Sequence, residues 1–126
     1  MRAVDTNVLV RLLTRDDAKQ VAAAEAFVRD GAWISQLVLM EAVWVLESVY
    51  ELGHAHIANG VEVLLDHQNL VVENPDVVKA AVAQYRRYPT VGFSDCLIIE
   101  VARAAGHVPL ATLDRKFGKL ARVQRL

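Results

Sequence analysis

Cysteine is almost missing from this chain: Cys96 stands alone among 126 residues. No intramolecular disulfide can form and no cysteine cluster can hold zinc, which points to a reducing intracellular (cytoplasmic) compartment. Glycine and proline are scarce, at 6 and 3, and no low-complexity tract occurs, which excludes the disordered and collagen-like classes. No apolar run is long enough for a membrane span, because the most apolar window, residues 33–50, carries Gln36, Glu41 and Glu47. Asp5, Asn7 and Arg11 break the apolar run that follows Arg2, so no secretory signal is expected. An excess of one charge is missing too. The net charge is −1 and the pI about 6.4, which taken at face value argues against nucleic acid as a partner. What is present is 54% apolar residues in a chain the length of one domain, enough to bury roughly two thirds of the surface that its unfolded form exposes.

The hydrophobic spacing alternates between two periods. A strand is expected over 2–4 and a helix over 7–13. Asp17 as N-cap with Gln20 three residues on resembles a capping box, opening a second helix that runs to about Arg29 and ends before Gly31. A second strand falls at 32–34. Ser35 caps a third helix to about Glu51, apolar nearly all round and therefore expected to be buried on more than one side, with Gly53 as its stop. A fourth helix spans about 55–66 and a third strand 70–72, closed by Asn74-Pro75. Pro75 suits the first turn of a fifth helix to about Arg87. After the irregular segment 88–93, Ser94 caps a sixth helix over 95–105, ended by Gly106. A fourth strand at 108–113, a short helix at 115–120 and an edge strand at 122–126 complete the chain. Strands separated by helices imply βαβ units. The fold expected is α/β, a single domain over 1–126 with a mostly parallel central sheet of four to five strands flanked by helices.

In open parallel α/β sheets ligands bind beyond the carboxyl ends of the strands. Asp5 ends the first strand and Asp114 the fourth, Asp95 opens the sixth helix, and Glu41 interrupts the apolar third helix, where a lone charge is costly to bury. Clustered carboxylates raise one another's pKa values unless a cation or a basic partner neutralises them. An all-oxygen set without His or Cys suits Mg²⁺ or Mn²⁺ rather than zinc, and a phosphoester is the natural substrate. Taken alone, the acids have plainer explanations, the least comfortable being that for Glu41 among Leu39, Met40, Ala42 and Val43. Asp95 is equally a helix N-terminal charge, Asp5 an Asx turn and Asp114 a solvated cap. Only the combination favours function.

Four blocks, VDTNVLV at 4–10, ISQLVLMEAVWVL at 34–46, GFSDCLI at 92–98 and LATLDRKF at 110–117, together resemble a PIN-domain ribonuclease, specifically a VapC-type toxin of a toxin–antitoxin pair. The likeness spans essentially the whole chain, with all four acids in family order. It implies a catalytic, metal-binding set of Asp5, Glu41, Asp95 and Asp114 holding one or two Mg²⁺ or Mn²⁺ ions. Thr6, Asn7 and Thr112 match the small polar positions beside the acids and would orient carboxylates from behind, although turn and cap roles explain them equally. Cys96 stands where small residues are common in that family. The resemblance further implies a tRNA or rRNA substrate cut to a 5′-phosphate and a 3′-hydroxyl, a homodimer, and a cognate VapB-type antitoxin.

Committing four of the 15 acidic residues to metal leaves 11 against 14 Lys and Arg, so the remaining surface is mildly basic. Arg115 and Lys116 follow directly on Asp114, with Lys119, Arg122 and Arg125 beyond, and Arg11 lies just after Asp5. Arg115, Lys116 and Arg11 are the RNA-binding candidates, with ordinary solvated faces the bland alternative. His54, His56, His67 and His107 lack a spacing that would gather them. Cys96, Trp33, Trp44 and Phe27 fit a core better than a site, while the surplus of apolar residues on the third helix suggests a protein interface. Three rivals stand beside the toxin. One is a PIN nuclease of RNA processing without an antitoxin, and another a non-catalytic binding module. The last is an aspartyl-phosphate phosphotransferase, which would need an acid where Asn7 stands.

Overall fold

Asp5, Asp17 and Ser35 each accept, through a side-chain oxygen, the backbone amide three residues on, from Val8, Gln20 and Val38. Each thereby starts a helix by satisfying an amide that has no partner within it. The structure, a computed structural model, describes residues 1–126 and divides into two compact units, Met1–Pro75 and Asp76–Leu126.

In the first unit, strands β1 (Arg2–Ala3), β2 (Ala32–Ile34) and β3 (Leu70–Val72) pair in the order β1-β2-β3 with both ladders parallel. The Val4 amide extends the first ladder to the Trp33 carbonyl at 3.2 Å, which carries the chain in register up to Asp5. Helices α1 (Thr6–Thr14) and α2 (Ala18–Val28) connect β1 to β2, and α3 (Gln36–Ser48) and α4 (His54–Asp66) connect β2 to β3. Helix α1 packs on α2 and α3, and α4 on β3 and α3. The strands alternate as a half-buried sheet must: Ala32, Ile34, Leu70 and Val72 point inward, and the register partners Trp33 and Val71 point out.

Helix α3 departs from expectation. It ends at Ser48, and the left-handed Glu51 (φ 54°) turns the chain so that the Leu52 amide reaches the Leu46 carbonyl at 3.0 Å, a closure of the Schellman kind. Gly53, expected as the stop of α3, is instead the extended residue that opens α4. Only one stripe of α3 is buried, Leu39, Ala42, Val43 and Leu46, at the i, i+3, i+4, i+7 spacing of a single packed face. Leu37 and Trp44 lie in solvent, Trp44 at 65% exposure. Trp33 is likewise exposed and Phe27 half-buried, so these aromatics are not the core residues expected. Apolar composition all round a helix does not supply neighbours all round it.

Helix α5 (Pro75–Arg87) starts at the last residue of the first unit, and the second unit holds the rest of it with α6 (Phe93–Ala104), β4 (Leu110–Thr112), a 3₁₀ turn at Phe117–Lys119 and β5 (Val123–Arg125). Helix α5 buries Val78, Ala81, Val82 and Tyr85. Helix α6 buries Phe93, Cys96, Leu97 and Ile99, and the Tyr85 and Phe93 rings meet edge to face at 5.8 Å and 85°. Gly92, not Ser94, precedes α6, and no side chain caps it. Strand β4 begins at Leu110 rather than 108, since Pro109 has no amide to give a ladder. Strands β4 and β5 pair in parallel, with Thr112 opposite Arg125.

The α/β class holds, with six helices and five strands whose every pairing is parallel. Where one central sheet was expected, the strands hydrogen-bond as a sheet of three in the first unit and a sheet of two in the second. No helix is long and apolar enough to cross a membrane.

Candidate functional site

Asp5 leaves β1 with extended backbone (φ −97°, ψ −177°) and becomes the N-cap of α1, its Oδ1 accepting from the Val8 amide at 3.2 Å. The Asx-turn role and an exposed carboxylate at a strand end are therefore properties of one residue. Thr6 is buried beside it, whereas Asn7 is exposed and lines a groove of 480 Å³ with Val8, Arg11, Gln20, Ala24 and Phe27. Glu41 is exposed on α3. The premise that it sits uncomfortably in apolar surroundings is corrected: it occupies the solvent face that also carries Leu37 and Trp44, opposite the packed stripe, so its position imposes no burial cost.

Arg11 does not look outward as an RNA contact would. Its Nη1 donates to Asp16 Oδ1 at 3.1 Å and to the Tyr50 hydroxyl at 2.9 Å, and its Nε donates to Gln20. Tyr50 in turn donates to Asp16 Oδ2 at 2.8 Å, and Thr14 to Oδ1 at 2.8 Å. The Tyr50 hydrogen bond, then that of Thr14, then the charge of Arg11 hold the Asp16 carboxyl below the usual range. Sequence spacing gave no sign of this network, because Tyr50 lies 34 residues beyond Asp16. It also explains why Gln20 completes no reciprocal capping box: its side chain serves Arg11 instead.

In the second unit Asp114 is fixed from several sides. The Thr112 hydroxyl accepts from the Asp114 amide at 3.0 Å, and Asp114 Oδ1 accepts from the Lys116 and Phe117 amides at 2.7 and 2.9 Å. The Asp114 carbonyl also takes the Gly118 amide at 3.0 Å. Asp114 thus caps the 3₁₀ turn, and Thr112 acts on its backbone rather than on its carboxylate. Asp95 is half-buried in the first turn of α6. Burial first, and then the negative charge of Asp114, push the Asp95 carboxyl above its usual range, the like-charge effect expected of clustered acids. Arg115 and Lys116 are exposed immediately after Asp114.

The acid that sequence reasoning missed is Glu100, only 7% exposed. Its Oε1 accepts from Gln84 Nε2 at 3.2 Å, and its Oε2 lies 3.4 Å from Arg103 Nε. Arg103 Nη2 reaches on to the Ala121 carbonyl at 3.4 Å. The signal was available: an acid flanked by Ile98, Ile99 and Val101, with an arginine three residues on. Cys96 lies buried between the two acids of α6. Burial, then Asp95, then Glu100 push its thiol up to about 12, so it stays protonated and is no nucleophile.

Within neither unit do three His, Cys, Asp or Glu side chains gather at a metal-holding spacing. A pair of carboxylates is nonetheless a sufficient protein contribution for Mg²⁺, which keeps several waters and takes its other ligands from substrate phosphate. Asp95 and Asp114 fit that demand. Both are oxygen donors, and a divalent cation relieves the desolvation and the charge of Asp114 that raise Asp95. No curated protein matches the chain. The sequence model of the PIN domain family matches it over residues 2–123.

Proposed function

The chain belongs to the PIN domain family, and from that premise we propose that it is a Mg²⁺- or Mn²⁺-dependent endoribonuclease, the toxin of a toxin–antitoxin pair. PIN domains are typically metal-dependent nucleases, so hydrolysis of a phosphodiester is the expected chemistry. The observation that carries the metal-dependent part is the Asp95 carboxyl, raised first by its burial and then by the charge of Asp114. Two acids of like charge, one of them anchored by four backbone and side-chain hydrogen bonds, support the reading of a cation site.

Asp95 and Asp114 would hold the ion, and Asp5 and Glu41 enter the proposed acid set on the sequence resemblance alone. When bound, the ion supplies neutralising charge, polarises the scissile phosphate and lowers the pKa of a bound water. The residues of the chain do the positioning. Thr112 fixes the backbone of Asp114, and the Lys116 and Phe117 amides orient its carboxylate through Oδ1. Asp5 is oriented by the Val8 amide, while Thr6 and Asn7 flank it. Exposed Arg115 and Lys116 are proposed to meet the RNA backbone, and cleavage would leave a 5′-phosphate and a 3′-hydroxyl. Arg11 leaves that proposal, since its guanidinium is engaged by Asp16, Gln20 and Tyr50. The exposed apolar side chains Trp33, Leu37, Trp44 and Val71 are consistent with a homodimer or a VapB-type antitoxin as partner.

Cleavage of pooled tRNA and rRNA with Mg²⁺ or Mn²⁺, with and without EDTA, tests the chemistry. Wild type should cut only with metal and Asp95→Asn should be inactive; metal-independent cutting or full activity in the variant refutes the metal site. Induced expression tests the toxin role. Growth arrest relieved by the product of a neighbouring small gene supports it, and active enzyme without arrest points to RNA processing.

A further inference from the structure

On the nuclease reading above, we propose that Arg125 is a phosphate-contacting residue for the substrate RNA, built into place beside Asp114. The β4–β5 register sets Arg125 opposite Thr112, and neighbours across a parallel pair share a face of the sheet. The Leu126 amide donates to the Thr112 carbonyl at 2.9 Å, locking that register at the end of β5. Thr112 is the residue whose hydroxyl takes the Asp114 amide.

Gly118 bounds Arg125 from another side. A Cβ added at Gly118 would come within 2.8 Å of Arg125 Cβ and 3.6 Å of Cγ, a separation that real side chains do not tolerate. The missing side chain at 118 is therefore the space in which the Arg125 stem lies. The Gly118 amide is itself bonded to the Asp114 carbonyl at 3.0 Å. Both residues that position the arginine, Thr112 and Gly118, are thus hydrogen-bonded to Asp114.

Charge points to the ligand. Residues 76–126 carry nine Lys and Arg against four acids, whereas residues 1–75 carry five against eleven. Of the four acids, Glu100 is buried against Arg103, and Asp95 and Asp114 are the proposed metal ligands, which leaves Asp76. Arg125 is exposed and pairs with no carboxylate. A guanidinium anchored at its stem with a free fork suits a phosphate oxygen pair. Lys116, Lys119 and Arg122, all exposed, continue the positive surface for a polyanion longer than one phosphate.

Anisotropy titration of a labelled single-stranded RNA in EDTA reads binding with metal-dependent cleavage switched off. Arg125→Gln should weaken binding about 3- to 10-fold and reduce the salt slope of log K by about 0.7, the value of one released counterion contact on a single strand. Arg125→Lys should keep the slope while losing part of the affinity, because the charge remains without the fork. Gly118→Ala should weaken binding by displacing the stem. Wild-type affinity and slope in an Arg125→Gln protein of wild-type melting temperature overturn the proposal. If that variant folds poorly, a salt slope lost in well-folded Arg125→Lys overturns it instead. Arg125-dependent binding of polyglutamate, with no RNA binding by wild type, also overturns it in favour of an acidic peptide. RNA binding that depends on Arg125, in a protein that cuts no RNA with either metal, supports this contact and refutes the nuclease reading.

Discussion

Asp95 is held by its burial, and next by the charge of Asp114, as a carboxyl that keeps its proton to higher pH than an ordinary aspartate. A carboxyl whose pKa is raised in the folded state favours folding fully below its unfolded pKa, and that contribution is lost as pH rises through the folded value. At neutral pH the charged form therefore costs the metal-free protein stability. Asp95→Asn should stabilise the metal-free protein at neutral pH, by no more than about 1 kcal/mol because solvent screens the group, and so raise its melting temperature. The gain should vanish in acid below the ordinary carboxylate range, and Mg²⁺ should stabilise wild type more than the variant. Calorimetry across pH, with and without Mg²⁺, checks each part. A lower melting temperature for the variant at neutral pH contradicts the assignment.

Thr112 is predicted to matter through one hydrogen bond. Thr112→Val keeps the shape and removes the oxygen that accepts the Asp114 amide. Mg²⁺ affinity should fall about tenfold, in line with losses of groups that orient metal ligands, while far-ultraviolet circular dichroism stays unchanged. Isothermal titration with Mg²⁺ measures it, and Thr112→Ser should restore most of the affinity.

Glu100 and Arg103 form a pair that is dry on the Glu100 side. Glu100→Ala should destabilise the fold by about 2–3 kcal/mol, since the Arg103 Nε, buried and already without a hydrogen-bond partner, also loses its neighbouring charge. Glu100→Gln should cost less by keeping the bond to Gln84. Urea unfolding of both variants, with Arg103→Ala to close a double-mutant cycle, separates the pair from simple packing.

Cys96 should not react with iodoacetamide in the native protein at neutral pH, because its thiol is buried and pushed up to about 12. It should react readily once urea unfolds the chain. Mass spectrometry before and after unfolding checks this, and fast native labelling would contradict the buried placement.

The local part of the fold was legible from local chemistry. Strands at 32–34 and 70–72 and the helix Pro75–Arg87 lie where alternation, Pro75 and the Asn74 turn put them, and Asp17 and Ser35 cap the helices they precede. These features depend on residues three or four apart. The exposure of Glu41 and Trp44, the division of five strands into sheets of three and two, and the Arg11–Asp16–Tyr50 network depend on which faces meet across tens of residues, and hydrophobic period carries no such information. Family resemblance picked out the acids in sequence. What the structure adds is the burial of Asp95 and the effect of Asp114 on it, and the Thr112 bond that holds Asp114.

On the proposed reading Asp5, the cap at the start of α1, has two employments with different requirements. Holding the Val8 amide needs only an acceptor oxygen, whereas attracting a cation needs a full negative charge. Asparagine keeps the first and loses the second; alanine loses both, at about 1 kcal/mol for the cap alone. The two substitutions thus separate the architectural debt of this aspartate from its chemical one. A dead enzyme made with alanine would report a frayed helix together with a missing ligand, and only the asparagine protein isolates the charge.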